Sequence, residues 1–201
     1  MAAKAREWLS CECRPLPNAS VKNANPLSNL GRGFAVALLA IALLTGCGDA
    51  KRSTAPAVAA PKSVSEIFSI KVGEKIVRMQ LAVLDVEQQQ GLMDRRDLGR
   101  DDGMLFLYVR PQRMSFWMHN TPTPLDIGFF DSSGVLREIY PMQPFDETTI
   151  ASRSEELRYA LEMNQGWYRD NGVKPGAQLE LKALAAAMKA RGFEPKRFGL
   201  E

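Results

Sequence analysis

Residues 115–130 read SFWMHNTPTPLDIGFF and hold the only histidine of the chain. Phe116, Trp117 and Met118 are good strand formers. Alternation along a strand puts Phe116 and Met118 on one side, and Ser115, Trp117 and His119 on the other. Asn120-Thr121-Pro122-Thr123-Pro124 then stops regular pairing. Each proline lacks an N–H and drives the residue before it to extended geometry. Leu125, Ile127 and Phe129 resume an alternation, and Asp131-Ser132-Ser133-Gly134 reads as a turn. Residues 135–140 return as the second arm of a hairpin. Two strands hinged on a proline corner set the expectation of a mainly β protein.

Working outward, 201 residues suit one domain, and 45% apolar with 24% charged residues suits a globule with a core. The net charge of +3 belongs to the N-terminal end. Residues 1–46 carry five basic and two acidic groups, so the rest holds 26 − 5 = 21 basic against 23 − 2 = 21 acidic. A neutral body carries no electrostatic footprint for nucleic acid, and no nucleic-acid partner is expected.

Residues 34–44, FAVALLAIALL, follow Arg32. An eleven-residue apolar run matches the core of a signal peptide and is short of the ~20 residues a spanning helix needs. It ends in Leu44-Thr45-Gly46-Cys47, which resembles a bacterial lipobox. The resemblance implies cleavage before Cys47, a diacylglyceryl group on its sulfur and acylation of the new N-terminus. Residues 1–46 thus form a signal region, with a start site assigned too far upstream as one reading of residues 1–20. Cys11 and Cys13 would be lost with it, leaving no pair for a disulfide in an export compartment that permits one. Residues 47–65 read as a lipidated flexible tether rich in Ala, Pro and Ser, reaching roughly 25 Å as a coil at about 5–6 Å × √n.

The β domain is expected over residues 66–182. Residues 67–84 alternate as a hairpin about Gly73-Glu74. Asp85 with Gln88 makes a loose capping box for a helix over 86–93. A charged loop covers 95–102, and 104–109 is a buried strand. Residues 141–154 read as a long loop, 158–163 as a strand with Tyr159, Leu161 and Met163 on one face, and 178–182 as a last strand. Residues 183–201 complete the chain as an alanine-rich helix and a mobile tail.

Several of these segments resemble an uncharacterised bacterial and archaeal family, domain of unknown function 192. The matching pieces are Gln90-Gly91-Leu92-Met93-Asp94-Arg95, Gly103-Met104-Leu105-Phe106 and Phe116-Trp117-Met118-His119-Asn120-Thr121. Pro124-Leu125-Asp126-Ile127, residues 158–164 (RYALEMN) and Gly166 follow in the family's order. The resemblance implies a compact, mostly β, barrel-like domain with short helices. It brings no established activity, and His119 stands where the family more often has lysine. The expected fold is therefore mainly β: a compact antiparallel barrel-like or sandwich domain with short helices.

The candidate ligand or contact residues are Met93, Trp117, His119, Asn120, Asp126 and Glu162. Met93 and Trp117 suit an apolar pocket wall. Asp126 and Glu162 stand in strands otherwise built for burial, where a carboxylate needs a partner. His119 with Asp126 or Glu162 could form an acid–base pair, the basis of a small hydrolase-like enzyme. Ser115 and His119 lie about 13 Å apart along a straight strand at ~3.3 Å per residue, too far for a nucleophile and its base. GxSxG, HExxH and P-loop patterns are missing. One histidine supplies no closed zinc set, and no motif calls for a cofactor or metal. The first expectation is a binding or interaction module facing the periplasm from a lipid anchor, its partner an envelope protein or a small molecule. An acid–base enzyme around His119, Asp126 and Glu162 is the second, and a structural envelope protein the third.

Overall fold

The structure is a computed structural model that describes residues 61–201. The signal region, Cys47 and most of the tether lie outside the described residues. Among the described residues, no helix is long and apolar enough to cross a membrane.

Antiparallel strands β1 (Phe68–Val72) and β2 (Lys75–Ala82) form the expected hairpin. Helix α1 (Asp85–Gln90) follows and leads to the long strand β3 (Asp102–Gln112). A two-residue strand β4 (Ser115–Phe116) comes next, then the hairpin of β5 (Leu125–Asp131) and β6 (Leu136–Met142). Asp131 closes its turn by accepting the Ser133 and Val135 N–H groups. Strand β7 (Ile150–Ala151) pairs with β4, and β8 (Leu157–Asn164) returns through the middle of the molecule. Short helix α2 (Trp167–Asp170), helix α3 (Leu181–Ala190) and a 3-10 turn (Pro195–Phe198) finish the chain.

Six strands make one open sheet in the order β1-β2-β3-β8-β5-β6. All neighbours are antiparallel except β2 and β3. The expectation of a mainly β domain with short helices is met in its sandwich-like form. The barrel-like form is not: β1 and β6 are free ends of the sheet, and β4–β7 form a separate pair. The parallel pair arises because α1 carries the chain from β2 to β3, as a parallel crossover requires.

Both faces of the sheet are buried. Met79, Leu81, Leu105, Leu161 and Met163 share one core with Tyr168, Met188 and Leu200 from the C-terminal elements. Ala82, Phe106, Ile127, Phe129 and Ala160 share the other with Leu92, Phe116 and Met118. Alternation therefore assigns residues to two cores rather than to core and water. This explains why residues 125–130 are all buried although every second one was expected to carry the burial. At Gly128 an added Cβ would stand 2.5 Å from the Tyr168 hydroxyl, so α2 packs against bare backbone there.

The ends differ from expectation. Residues 178–182 form only isolated bridges, Val135 to Gln178 and Val72 to Leu179, because α3 already starts at Leu181. The tail is fastened: Phe198 and Leu200 are buried, and the Phe198 carbonyl accepts bonds from Arg158 and Tyr159. Residues 183–201 are thus part of the same core. The body also starts before residue 66. The Lys62 N–H donates to the Arg191 carbonyl, and the Lys62 carbonyl accepts from the Arg191 guanidinium.

Candidate functional site

Strand β8 runs between β3 and β5, and its register sets Glu162 opposite Met104 on one side and Ile127 on the other. Glu162 is 5% exposed. Its carboxyl has no hydrogen-bond partner among the described residues, unlike the other buried carboxyl, Asp126. Burial alone pushes it up to about 8. A charged carboxylate in an apolar strand row loses its hydration without compensation, so the neutral form is favoured. At pH 7 most molecules carry a protonated Glu162.

The carboxyl sits in a narrow cavity of about 30 Å³, lined by Gln88, Gly91, Met93, Phe106, Phe116 and Trp117 among others. A water needs about 10–15 Å³ by this measure, so a small polar head group fits. The cavity adjoins a wider groove of about 320 Å³ that shares Gln88, Gln89, Phe116 and Trp117 and adds Asp85, Tyr108 and Ser115. Burial is the main cause that pushes the Tyr108 hydroxyl up to about 12, with Glu162 and Asp85 adding to it.

Three segments build these walls. Helix α1 is capped by Glu87, whose carboxylate accepts the Val83 and Leu84 N–H groups. The Asp85–Gln88 capping box expected from the sequence does not form, since Gln88 Nε2 donates instead to the Leu107 and Ala82 carbonyls. That contact clamps α1 across the mouth between β2 and β3. The helix ends at Gly91, at φ 47°, earlier than the expected residue 93. The turn there buries Leu92 and leaves Met93 at the cavity rim. Phe116 anchors the opposite wall through edge contacts with Phe106, ring centroids 5.0 Å apart.

Trp117 stands over the groove and is 51% exposed. The expected strand through residues 115–119 is only two residues long. Beyond Phe116 the backbone turns, and Met118 N–H bonds to the Asp146 carbonyl. The His119 ring stacks on the indole at 4.9 Å, and its Nδ1 lies 2.6 Å from a Glu147 carboxylate oxygen. Asn120 has a left-handed φ of 50°, and its carbonyl accepts the Asp94 N–H. It therefore ties the helix exit to the proline corner, as does the Thr123 hydroxyl bond to the Arg95 carbonyl.

Met93, Trp117 and Glu162 thus meet in one cavity, with His119 and Asn120 behind its rim. Asp126 does not join them. It pairs in register with Met163, while Glu162 pairs with Ile127, so the two carboxyls point to opposite faces of the sheet. Burial raises Asp126, and the bond it accepts from the Gly166 N–H at 2.7 Å opposes that rise. Its work is to hold the β8–α2 turn, where Gly166 has φ 87°. The acid–base trio of His119, Asp126 and Glu162 is consequently not assembled: one-residue offsets on paired strands reverse the side. Among the described residues no cluster of three or more His, Cys, Asp or Glu side chains offers a metal site.

Gln88, Tyr108 and Thr121 belong to the site and were not among the candidates. Tyr108 had a signal, since it continues the Met104, Phe106 row. Gln88 and Thr121 had none, because only tertiary packing brings them to the cavity that Glu162 lines.

Two solved structures resemble the chain. A Sinorhizobium meliloti protein described as a candidate transcription regulator is 34% identical over 59% of this chain and 96% of its own, with a TM-score of 0.56. A protein of unknown function from Novosphingobium aromaticivorans is 37% identical over 61% of this chain and 93% of its own, with a TM-score of 0.55. No curated protein matches. The family model for domain of unknown function 192, described as uncharacterized ACR, matches residues 68–181, the stretch that carries the six-stranded sheet and the Glu162 cavity. More than half of the chain being covered, this protein belongs to that family.

Proposed function

We propose that this chain is a binding module, held to a membrane by a lipid at Cys47, whose ligand enters the groove at Trp117 and reaches Glu162. The observation that carries the reading is the Glu162 carboxyl itself, 5% exposed, lining a cavity and without a hydrogen-bond partner among the described residues. A carboxyl at a cavity wall with no protein partner has its hydrogen-bonding positions open to a ligand. Trp117 adds an exposed aromatic surface at the entrance. A structural envelope protein would need no concavity at Trp117, and an acid–base enzyme would need the trio that the sheet separates.

The anchor rests on the Leu44-Thr45-Gly46-Cys47 sequence after an apolar run. Its periplasmic side follows from export. Transcription regulation, the role in the description of the Sinorhizobium protein, has less support here, since a body of 21 basic and 21 acidic residues carries no electrostatic footprint for nucleic acid.

A fragment screen by NMR tests the binding reading. Hits that shift Gln88, Met93 and the Trp117 indole together support it. Hits confined to other surfaces, or turnover that depends on His119, overturn it. Radiolabelled palmitate tests the anchor: incorporation lost in Cys47→Ser supports it, and an unlabelled wild-type protein refutes it.

A further inference from the structure

We propose that the groove takes an organic primary ammonium, its charged head paired with Glu162 and its apolar stem along Phe116 and Trp117. This rests on the binding reading above and names the ligand's chemistry.

Charge and size carry it. The two adjoining hollows are lined by Asp85 and Glu162 and by no lysine, arginine or histidine. An anion would meet two carboxyl groups and no counter-charge. The inner hollow, about 30 Å³, is scaled to a compact head, and the outer one, about 320 Å³, to a stem of several carbons. An ammonium brings three donors and no acceptor, and the cavity offers acceptors. Gln88 Nε2 is committed to the Leu107 and Ala82 carbonyls, so its Oε1 is the atom left with no donor among the described residues. The Thr121 hydroxyl donates to the His119 carbonyl and retains lone pairs. Trp117 adds an aromatic face, which attracts a cation within about 6 Å of the ring.

The proton balance is explicit. In the empty site Glu162 is largely protonated at pH 7. Ammonium binding forms the carboxylate–ammonium pair and expels that proton to buffer. Affinity then rises about tenfold per pH unit below pH 8 and levels off above it. Asp85 and Tyr108 face the outer hollow, and His119 lies behind Trp117 against Glu147. On the helix exit, Arg95 is turned to Gln80 and Asp97. Met104, Phe106 and Ile127, the strand residues beside Glu162, carry no charge.

The full chain is titrated with n-butylammonium and with n-butanol, following the Trp117 indole signal by NMR. Calorimetry at pH 7 in two buffers of different ionisation enthalpy counts protons. Butylammonium is expected to bind at least about tenfold tighter than butanol and to release close to one proton per molecule bound. Glu162→Gln abolishes both the preference and the release, while His119→Gln keeps both. Equal binding of butanol, or a preference unchanged in Glu162→Gln, overturns the ammonium and leaves the binding reading standing. If the fragment screen also finds no ligand in the groove, both fail.

Discussion

Glu162 sets a pH signature on the whole protein. Its carboxyl is raised from 4.5 in the unfolded chain to about 8 in the folded one. The unfolded chain therefore releases this proton first. The group's contribution to stability is complete below about pH 4.5 and is lost as pH rises towards 8. Within that window the slope is about 1.4 kcal/mol per pH unit. Glu162→Gln, which copies the neutral form, is expected to flatten the slope in urea melts between pH 5 and 8. An unchanged slope would mean that Glu162 ionises freely. Gly128 is a second residue whose role is settled by contact. Gly128→Ala sets a methyl 2.5 Å from the Tyr168 hydroxyl, which donates to the Leu161 carbonyl. Overpacking of this kind costs about 1–3 kcal/mol, and a melt equal to wild type would show that α2 yields.

At the scale of elements, α1 is the part on which the cavity depends. It has six residues and buries none of them, too short to stand by propensity alone. Arg191, at the end of α3, holds it from behind. Its guanidinium is 0% exposed and bonds to Glu87 and to the Leu81 and Lys62 carbonyls. Burial works against the Glu87 charge, but Arg191 and the Leu84 and Val83 N–H groups hold this carboxyl below the usual range. Its stabilising share is therefore present near neutrality and lost as pH falls through that low folded value. Removing one partner of a buried pair costs about 3–5 kcal/mol. Arg191→Ala is expected to lose that much in denaturant melts and to speed hydrogen exchange across 85–93 before the rest of the sheet. Simultaneous loss everywhere would show that α1 has no independent stability. Leu81 and Leu105 on one face, and Ala82 and Phe106 on the other, show why the β2–β3 pair tolerates a parallel register: both faces are covered.

Across the whole molecule the C-terminal end is a structural layer. α3 and the tail cover one face of the sheet, while Leu92 after α1, Phe116 of β4 and Met118 cover the other. Phe198 and Leu200 are buried, and the Phe198 carbonyl receives the Tyr159 hydroxyl. Each such side chain is worth about 1.5–3 kcal/mol on burial. A chain ending at residue 194 is expected to lose about 3–6 kcal/mol, read as a lower midpoint in urea. An unaltered midpoint would mean that the tail lies on the core without closing it.

Sequence alone determined the mainly β class, the β5–β6 hairpin and the β1–β2 hairpin, because alternation and turn chemistry are local. It also singled out Met93, Trp117 and Glu162 by residue type and by ordered motifs. Only the tertiary structure decided which carboxyl faces the cavity. Asp126 and Glu162 read alike in their own strands, yet the β5–β8 register sends them to opposite cores. The same long-range pairing turned the alternating strand of residues 125–130 into one buried on both sides, and drew the tail into the core. Register and layer order are set by contacts between residues far apart in the chain, and no local pattern encodes them.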